Sequence, residues 1–114
     1  MKGKKLEVQN LARICNEAVL LSVLCQGPMH GYQIALKGAE LPGGYFSFKY
    51  GTLYPILHSL EKRGMIQGLW HGKKKAYTIT SEGRKHRDAL LVSWRDFSHV
   101  FNSIAEGVCD AGNA

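Results

Sequence analysis

The sequence predicts a mainly α fold with one small β-hairpin, an α+β winged helix-turn-helix followed by a long C-terminal helix. Three observations predict it. Residues 51–63 carry leucine and isoleucine at helical spacing and stop at Gly64. Two short strand-like runs then flank the basic turn His71-Gly72-Lys73-Lys74-Lys75. From residue 81 onward, a heptad stripe runs almost to the C-terminus. Helix, hairpin and helix in that order read as a recognition helix, its wing and an appended helix. The expected division is 1–80 for the winged helix-turn-helix with its N-terminal helix, and 81–114 for a C-terminal dimerisation helix and tail.

Residues 1–9 read as a basic arm, for which a frayed terminus is the default. A helix is expected from about Asn10, because Leu11, Ile14, Ala18, Leu21 and Cys25 recur at spacings of three and four. Cys15, Leu20, Val23 and Leu24 widen its apolar surface, so it needs cover from more than one side. Gln26-Gly27-Pro28 stops it. A short second helix is read from Met29 to about Ala39, with Tyr32, Leu36 and Ala39 on one side. Leu41-Pro42-Gly43-Gly44 breaks it, and Tyr45, Phe46 and Phe48 are read as packing anchors of the loop to Lys49.

The third helix is expected to start at Tyr50 or Gly51, which would keep Pro55 in the first turn, where donors are unpaired anyway. On a wheel of about 100° per residue, Leu53, Ile56, Leu57 and Leu60 share one side. Gly51, Pro55, His58 and Lys62 point the opposite way, with Tyr54 and Ser59 on the flanks. One face is core; the other is small, polar, aromatic and basic, which suits a DNA groove. Gly64 is the expected C-terminal cap, and Lys62 and Arg63 sit where the helix dipole favours cations. The hairpin is read as Met65–Trp70 and Ala76–Thr80, with three lysines at its tip.

Thr80 is the expected N-cap of the last helix, with Glu82 favourable in its first turn. Leu90, Trp94, Phe97, Phe101, Ile104 and Val108 then follow at spacings of four, three, four, three and four. Such a stripe makes a helix–helix seam, but it is too short for a free-standing coiled coil. Left in water it is a large apolar patch, and a symmetric dimer buries it. Gly107 and Gly112 are expected to end the helix in a polar tail.

Composition narrows the function classes. The 114 residues are 45% hydrophobic, enough for a core, and the formal net charge of +6 favours a polyanionic partner. No run approaches the 18 or so apolar residues of a membrane span, and no signal-peptide pattern opens the chain, so a cytoplasmic protein is expected. Cys15, Cys25 and Cys109 are odd in number and far apart, so neither a disulfide framework nor a zinc site is expected. The five histidines are scattered, and no nucleophile or acid–base pair appears by motif. Neither an enzyme nor a cofactor is expected.

Several runs are specific enough to name a family. His30-Gly31-Tyr32-Gln33-Ile34, the run from Gly51 to Ile66 with its Gly-Thr-Leu-Tyr-Pro start, Trp70, and the run from Tyr77 to Arg84 closely resemble the PadR family of bacterial transcriptional regulators. The likeness covers about residues 11–95, and the short C-terminal segment is similar to the subfamily with a single C-terminal helix. Tyr50 stands where similar sequences are often acidic, and Lys75-Ala76 where an arginine is common. The resemblance implies a homodimeric repressor on a pseudo-palindromic double-stranded operator, dimerised through its first and last helices. It also implies release by a small aromatic or drug-like effector in some members, with Trp94 on the helix that carries the effector-stacking tryptophan.

Wheel and resemblance together assign the candidate residues. Thr52, Tyr54, His58 and Lys62 are expected to face the major groove, with Lys49, Tyr50 and Arg63 flanking on the backbone. Lys73, Lys74 and Lys75 are expected on phosphate or in the minor groove. Leu11, Ile14, Leu21, Leu90, Trp94, Phe97, Phe101 and Ile104 are the expected dimer interface. The alternative is a winged-helix module that binds protein or ligand without specific DNA binding.

Overall fold

Helix α1 is described over residues 15–24, because the structure, a computed structural model, describes residues 15–113 and the side chains of residues 15–107. The basic arm, Leu11 and Ile14 lie outside the described residues, as do the side chains of Val108 and Cys109. After α1 come β1 (Met29–His30), α2 (Gly31–Glu40), a 3-10 turn (Pro42–Gly44), α3 (Tyr50–Lys62), β2 (Ile66–His71), β3 (Lys74–Ile79) and α4 (Ser81–Asn113). The three strands form one antiparallel sheet in the order β1-β3-β2.

The core lies where the inner faces of α1, α2, α3 and the sheet meet. Leu20, Leu21 and Leu24 come from α1, Ile34 from α2, and Leu53, Leu57 and Leu60 from α3; Ile66, Tyr77 and Ile79 close it from the sheet. Burying each such aliphatic side chain contributes roughly 1.5–3 kcal/mol. Leu21 is therefore a core residue and not an interface one. It is 0% exposed within the single chain and has no surface left for a partner.

The second helix corrects the sequence reading twice. Met29 and His30 are extended and pair with Tyr77 and Ala76 of β3, so α2 begins at Gly31. The His30 N–H donates to the Gln33 side-chain oxygen at 2.8 Å, one arm of a capping box. The buried face of α2 is Gly31, Ile34 and Gly38, while Tyr32 and Leu36 are about half exposed. Close approach sets that face. A β-carbon on Gly38 would collide with the Phe46 carbonyl, and one on Gly31 would meet the Tyr54 hydroxyl. The loop is thus folded tightly under α2, with Phe48 packed on the core and Tyr45 exposed.

Helix α3 has the expected sides, with Leu53, Leu57 and Leu60 buried and Ile56 partly so. Its end is a Schellman turn: Met65 N–H bonds to Leu60 O at 2.9 Å and Gly64 N–H to Glu61 O at 3.0 Å, with Gly64 at φ +78. Pro55 lies one turn deeper than expected, because the Leu53 N–H already bonds to Lys49 O at 2.8 Å. Pro55 leaves the Gly51 carbonyl without a helical donor, and both residues are exposed, so that carbonyl is open to solvent.

The hairpin is longer and its turn tighter than expected. Pairing continues to His71 opposite Lys74, leaving only Gly72 and Lys73 in the turn. Gly72 has φ +64 at the first turn position, where a two-residue hairpin of this kind needs a positive φ. Extending the ladder satisfies backbone groups that a five-residue loop leaves to water. Lys74 and Lys75 therefore lie in a strand and point to opposite faces.

Thr80 caps α4 as expected, and it also locks α4 to the end of α3. Its Oγ1 accepts the Gly83 N–H at 3.0 Å, and its hydroxyl proton lies between the Gly64 and Met65 carbonyls at 2.6 and 3.0 Å. Gly107 does not end α4; the helix continues to Asn113, since one glycine costs about 1 kcal/mol in a helix without forbidding it. From Val92 to Gly107 the side chains of α4 are almost all exposed.

Candidate nucleic-acid interface

Two grooves flank α3, and the crest between them carries Gly51, Pro55, His58 and Lys62, all exposed. On one side a groove of ≈ 550 Å³ runs between α3, the loop before it and α1, with Thr52, Pro55, Ile56 and Ser59 as its α3 wall and Lys49 at the end of the loop. On the other, a cleft of ≈ 430 Å³ separates α3 from the wing. Tyr54 lines it from α3, Tyr32 from the start of α2, and Trp70, Lys73, Lys74 and Lys75 from the hairpin. The structure thus gathers Tyr54 with the wing lysines and places Thr52 on the far side of the crest.

Tyr54 is held on two sides. Its ring is tilted against Tyr50 at 5.9 Å, and its hydroxyl rests on Gly31. It braces the angle between α2 and α3 as well as facing the cleft. Tyr50 is exposed at the first position of α3, and Lys49 is exposed at its N-cap, where its carbonyl accepts from Thr52 and Leu53.

The six cations assigned to this surface are not equivalent. Lys49, Lys62, Lys73 and Lys74 are exposed and have no acidic partner among the described residues. Arg63 pairs with Glu17 of α1 at 2.7 Å, and Lys75 pairs with Glu61 of α3 at 2.9 Å. The hydrogen bond to Glu61 raises the Lys75 ammonium above its ordinary 10.5 against the effect of burial, so Lys75 stays charged. Burial raises the neighbouring Tyr77 phenol above its ordinary 10.0, so it stays neutral. Lys74 lies over the Tyr32 ring at 5.8 Å, within cation–π range.

Sequence reasoning missed the part played by Tyr32, Trp70 and Glu61. The helical stripe puts Tyr32 on a packed side, though a tyrosine on the first turn of a helix that opens at a strand end is a surface signal. Trp70 stands directly opposite Lys75 in the hairpin register, and only the correct strand ends reveal that pairing.

The second half of α4 presents the heptad stripe to solvent. Trp94, Phe97 and Phe101 follow one another at 6.3 and 6.1 Å between ring centroids, with Phe97 63% and Ile104 61% exposed. Leu90 is partly covered. Among the described residues no group of three or more histidine, cysteine or acidic side chains is placed to hold a metal ion, and no helix is long and apolar enough to cross a membrane.

Known proteins share this fold. A transcriptional regulator from Clostridium thermocellum superposes with a TM-score of 0.77 at 27% identity, covering 82% of this chain and 93% of that one. A PadR-like transcriptional regulator from Bacillus cereus superposes with a TM-score of 0.72 at 25% identity, covering 84% and 96%. Bacillus subtilis PadR, solved in complex with operator DNA, superposes with a TM-score of 0.57 at 28% identity over 67% of this chain and 47% of that one. The sequence model of the transcriptional regulator PadR-like family matches residues 20–89, the span from the core of α1 through the wing into α4. The chain belongs to that family.

Proposed function

We propose that the chain is a homodimeric, cytoplasmic, sequence-specific DNA-binding repressor. The observation that carries this reading is the pairing of an exposed, polar α3 crest with a wing whose Lys73 and Lys74 lack acidic partners among the described residues. His58 and Lys62 reach base edges in the major groove from the crest, Thr52 and Tyr54 from its two flanks. Lys49, Tyr50, Lys73 and Lys74 hold phosphates, which fix register without reading sequence. That Bacillus subtilis PadR binds operator DNA through a related chain supports the reading. The exposed α4 stripe supports a second copy packed along it, which sets two recognition helices at a fixed spacing on a pseudo-palindromic site. Trp94, 45% exposed within that stripe, is the proposed contact for a small aromatic effector that releases DNA.

The test is binding to a duplex from the protein's own upstream region beside a random duplex, at low and near-physiological salt. A preference of about a thousandfold, saturating at one dimer per site and steep in salt, establishes the specific regulator. Release by aromatic compounds is then read on the same fragment, with Trp94→Phe expected to weaken it. No binding to either duplex at either salt overturns the reading.

A further inference from the structure

We propose that Lys75 is a positioning residue that tethers the wing to the recognition helix, and that operator preference depends on this tether and not on any contact of Lys75 with DNA. The inference rests on the DNA-binding reading above.

The hairpin register places Lys75 opposite Trp70, and Gly68 opposite Tyr77. Opposed residues share a face, so Trp70, Lys75 and Tyr77 all line the side of the wing turned toward α3. The Lys75 ammonium lies 5.7 Å from the Trp70 ring centroid, 5.4 Å from that of Tyr77, and 2.9 Å from the Glu61 carboxylate. Its stem crosses Gly68, where a β-carbon would collide with the Lys75 side chain and crowd Glu61. Two rings, a carboxylate and a glycine gap thus hold one side chain in one place.

The wing is otherwise rooted in its inner half, where β1 pairs with Tyr77 and Ala76. Ile66, Tyr77 and Ile79 enter the core, whereas the tip from Leu69 to Lys74 is exposed. Lys75 is four residues from Ile79, roughly 13 Å out along the strand. Among the described residues, Lys75–Glu61 is the sole side-chain hydrogen bond between the wing strands and α3. Beyond Ala76 the sheet narrows to β2 and β3 alone, and a two-stranded hairpin is marginal by itself, so this tie sets where the outer wing sits relative to the crest. Reaching a phosphate would take Lys75 from its cage and leave Glu61 unpaired, while Lys73 and Lys74 have no acidic partner among the described residues to give up. Serving DNA and serving Glu61 exclude one another.

The experiment compares Lys73→Ala, Lys74→Ala, Lys75→Ala, Glu61→Gln and Gly68→Ala on operator and random duplexes across a salt series. It adds hydrogen exchange of the wing amides in the free proteins. Lys73→Ala and Lys74→Ala are expected to weaken both duplexes alike and to reduce the salt slope by about one each. Lys75→Ala, Glu61→Gln and Gly68→Ala are expected to keep the slope, cut operator preference by about tenfold, and speed exchange in residues 69–74. Gly68→Ala is the sharpest variant, because it displaces the lysine while every charge remains. A slope lowered by Lys75→Ala as by Lys74→Ala overturns the proposal, as does unchanged exchange in all three tether variants. Absence of wild-type binding to either duplex overturns the DNA reading and the stated effect on preference. The exchange data still decide the tether in that case.

Discussion

The Glu17 carboxylate and the Arg63 guanidinium, 46 positions apart in sequence, meet at 2.7 Å. The same carboxylate lies 3.1 Å from the His86 ring on α4. One acid on α1 thus joins the end of α3 to the base of α4, and Arg87 donates to Ser22 at 2.9 Å beside it. The arrangement fixes how the α4 arm leaves the body formed by α1, α2, α3 and the sheet.

Burial alone would raise the Glu17 carboxyl, but hydrogen bonds from His86 and Arg63 and their charges outweigh it and hold Glu17 below its ordinary 4.5. A depressed carboxyl contributes stability that is present above its unfolded value and lost as pH falls through its folded one. Both partners are more than a third exposed, so the contribution is modest, about 0.5–1 kcal/mol. Glu17→Gln is therefore expected to lower the urea midpoint at neutral pH. Its deficit against wild type should shrink as pH drops from the ordinary carboxylate range downward. A deficit that is constant across that range contradicts the pairing.

Gly38→Ala tests the close approach of α2 to its following loop. Propensity alone would make alanine better than glycine inside a helix by about 1 kcal/mol. The β-carbon would instead strike the Phe46 carbonyl, and backbone yields less readily than a side chain. Overpacking of this kind costs about 1–3 kcal/mol, so a net loss is expected in denaturant unfolding. A stabilised Gly38→Ala protein would mean that the loop from residue 41 to 49 does not sit under α2.

Thr80→Ala removes both the cap of α4 and the bond back to the Gly64–Met65 turn. Caps of this type contribute about 0.5–2 kcal/mol. Thr80→Ser keeps the hydroxyl, so it should retain most of that stability, whereas Thr80→Val should match alanine. Thermal midpoints of the three variants decide it, and equal loss in serine and alanine would refute the hydroxyl's role.

Much of the fold was legible because the apolar period survives wherever a helix buries one side, as Leu53, Leu57 and Leu60 do. The cap at Thr80 and the turn at Gly64 were legible because few residues do those jobs. Met29 and His30 were not, since their extended shape comes from pairing with β3, a partner 46 to 48 positions away. The face of α2 was misread because glycines carry no hydropathy, yet Gly31 and Gly38 permit the contacts that bury it. The wing lysines looked alike as a run. Strand alternation separates Lys74 from Lys75, and only the fold shows that Glu61 waits for one of them.

The exposed stripe of α4 yields the last prediction. Trp94, Phe97, Val100, Phe101 and Ile104 are each between 45% and 63% exposed in the single chain. Soluble monomers rarely leave so many large apolar groups contiguous, and a second copy packed along the stripe removes them from water. Wild-type protein is therefore expected to sediment as a dimer. Phe97→Glu combined with Phe101→Glu places two charges on the seam and should sediment as a monomer with its helical circular dichroism retained, because neither ring contributes to the core around Leu20 and Leu57. Losing the linked second recognition helix should then weaken operator binding by about a hundredfold or more, while binding to random DNA falls less. A monomeric wild type, or a double variant that stays dimeric, would show that the stripe serves another purpose and that the two recognition helices are not spaced by α4.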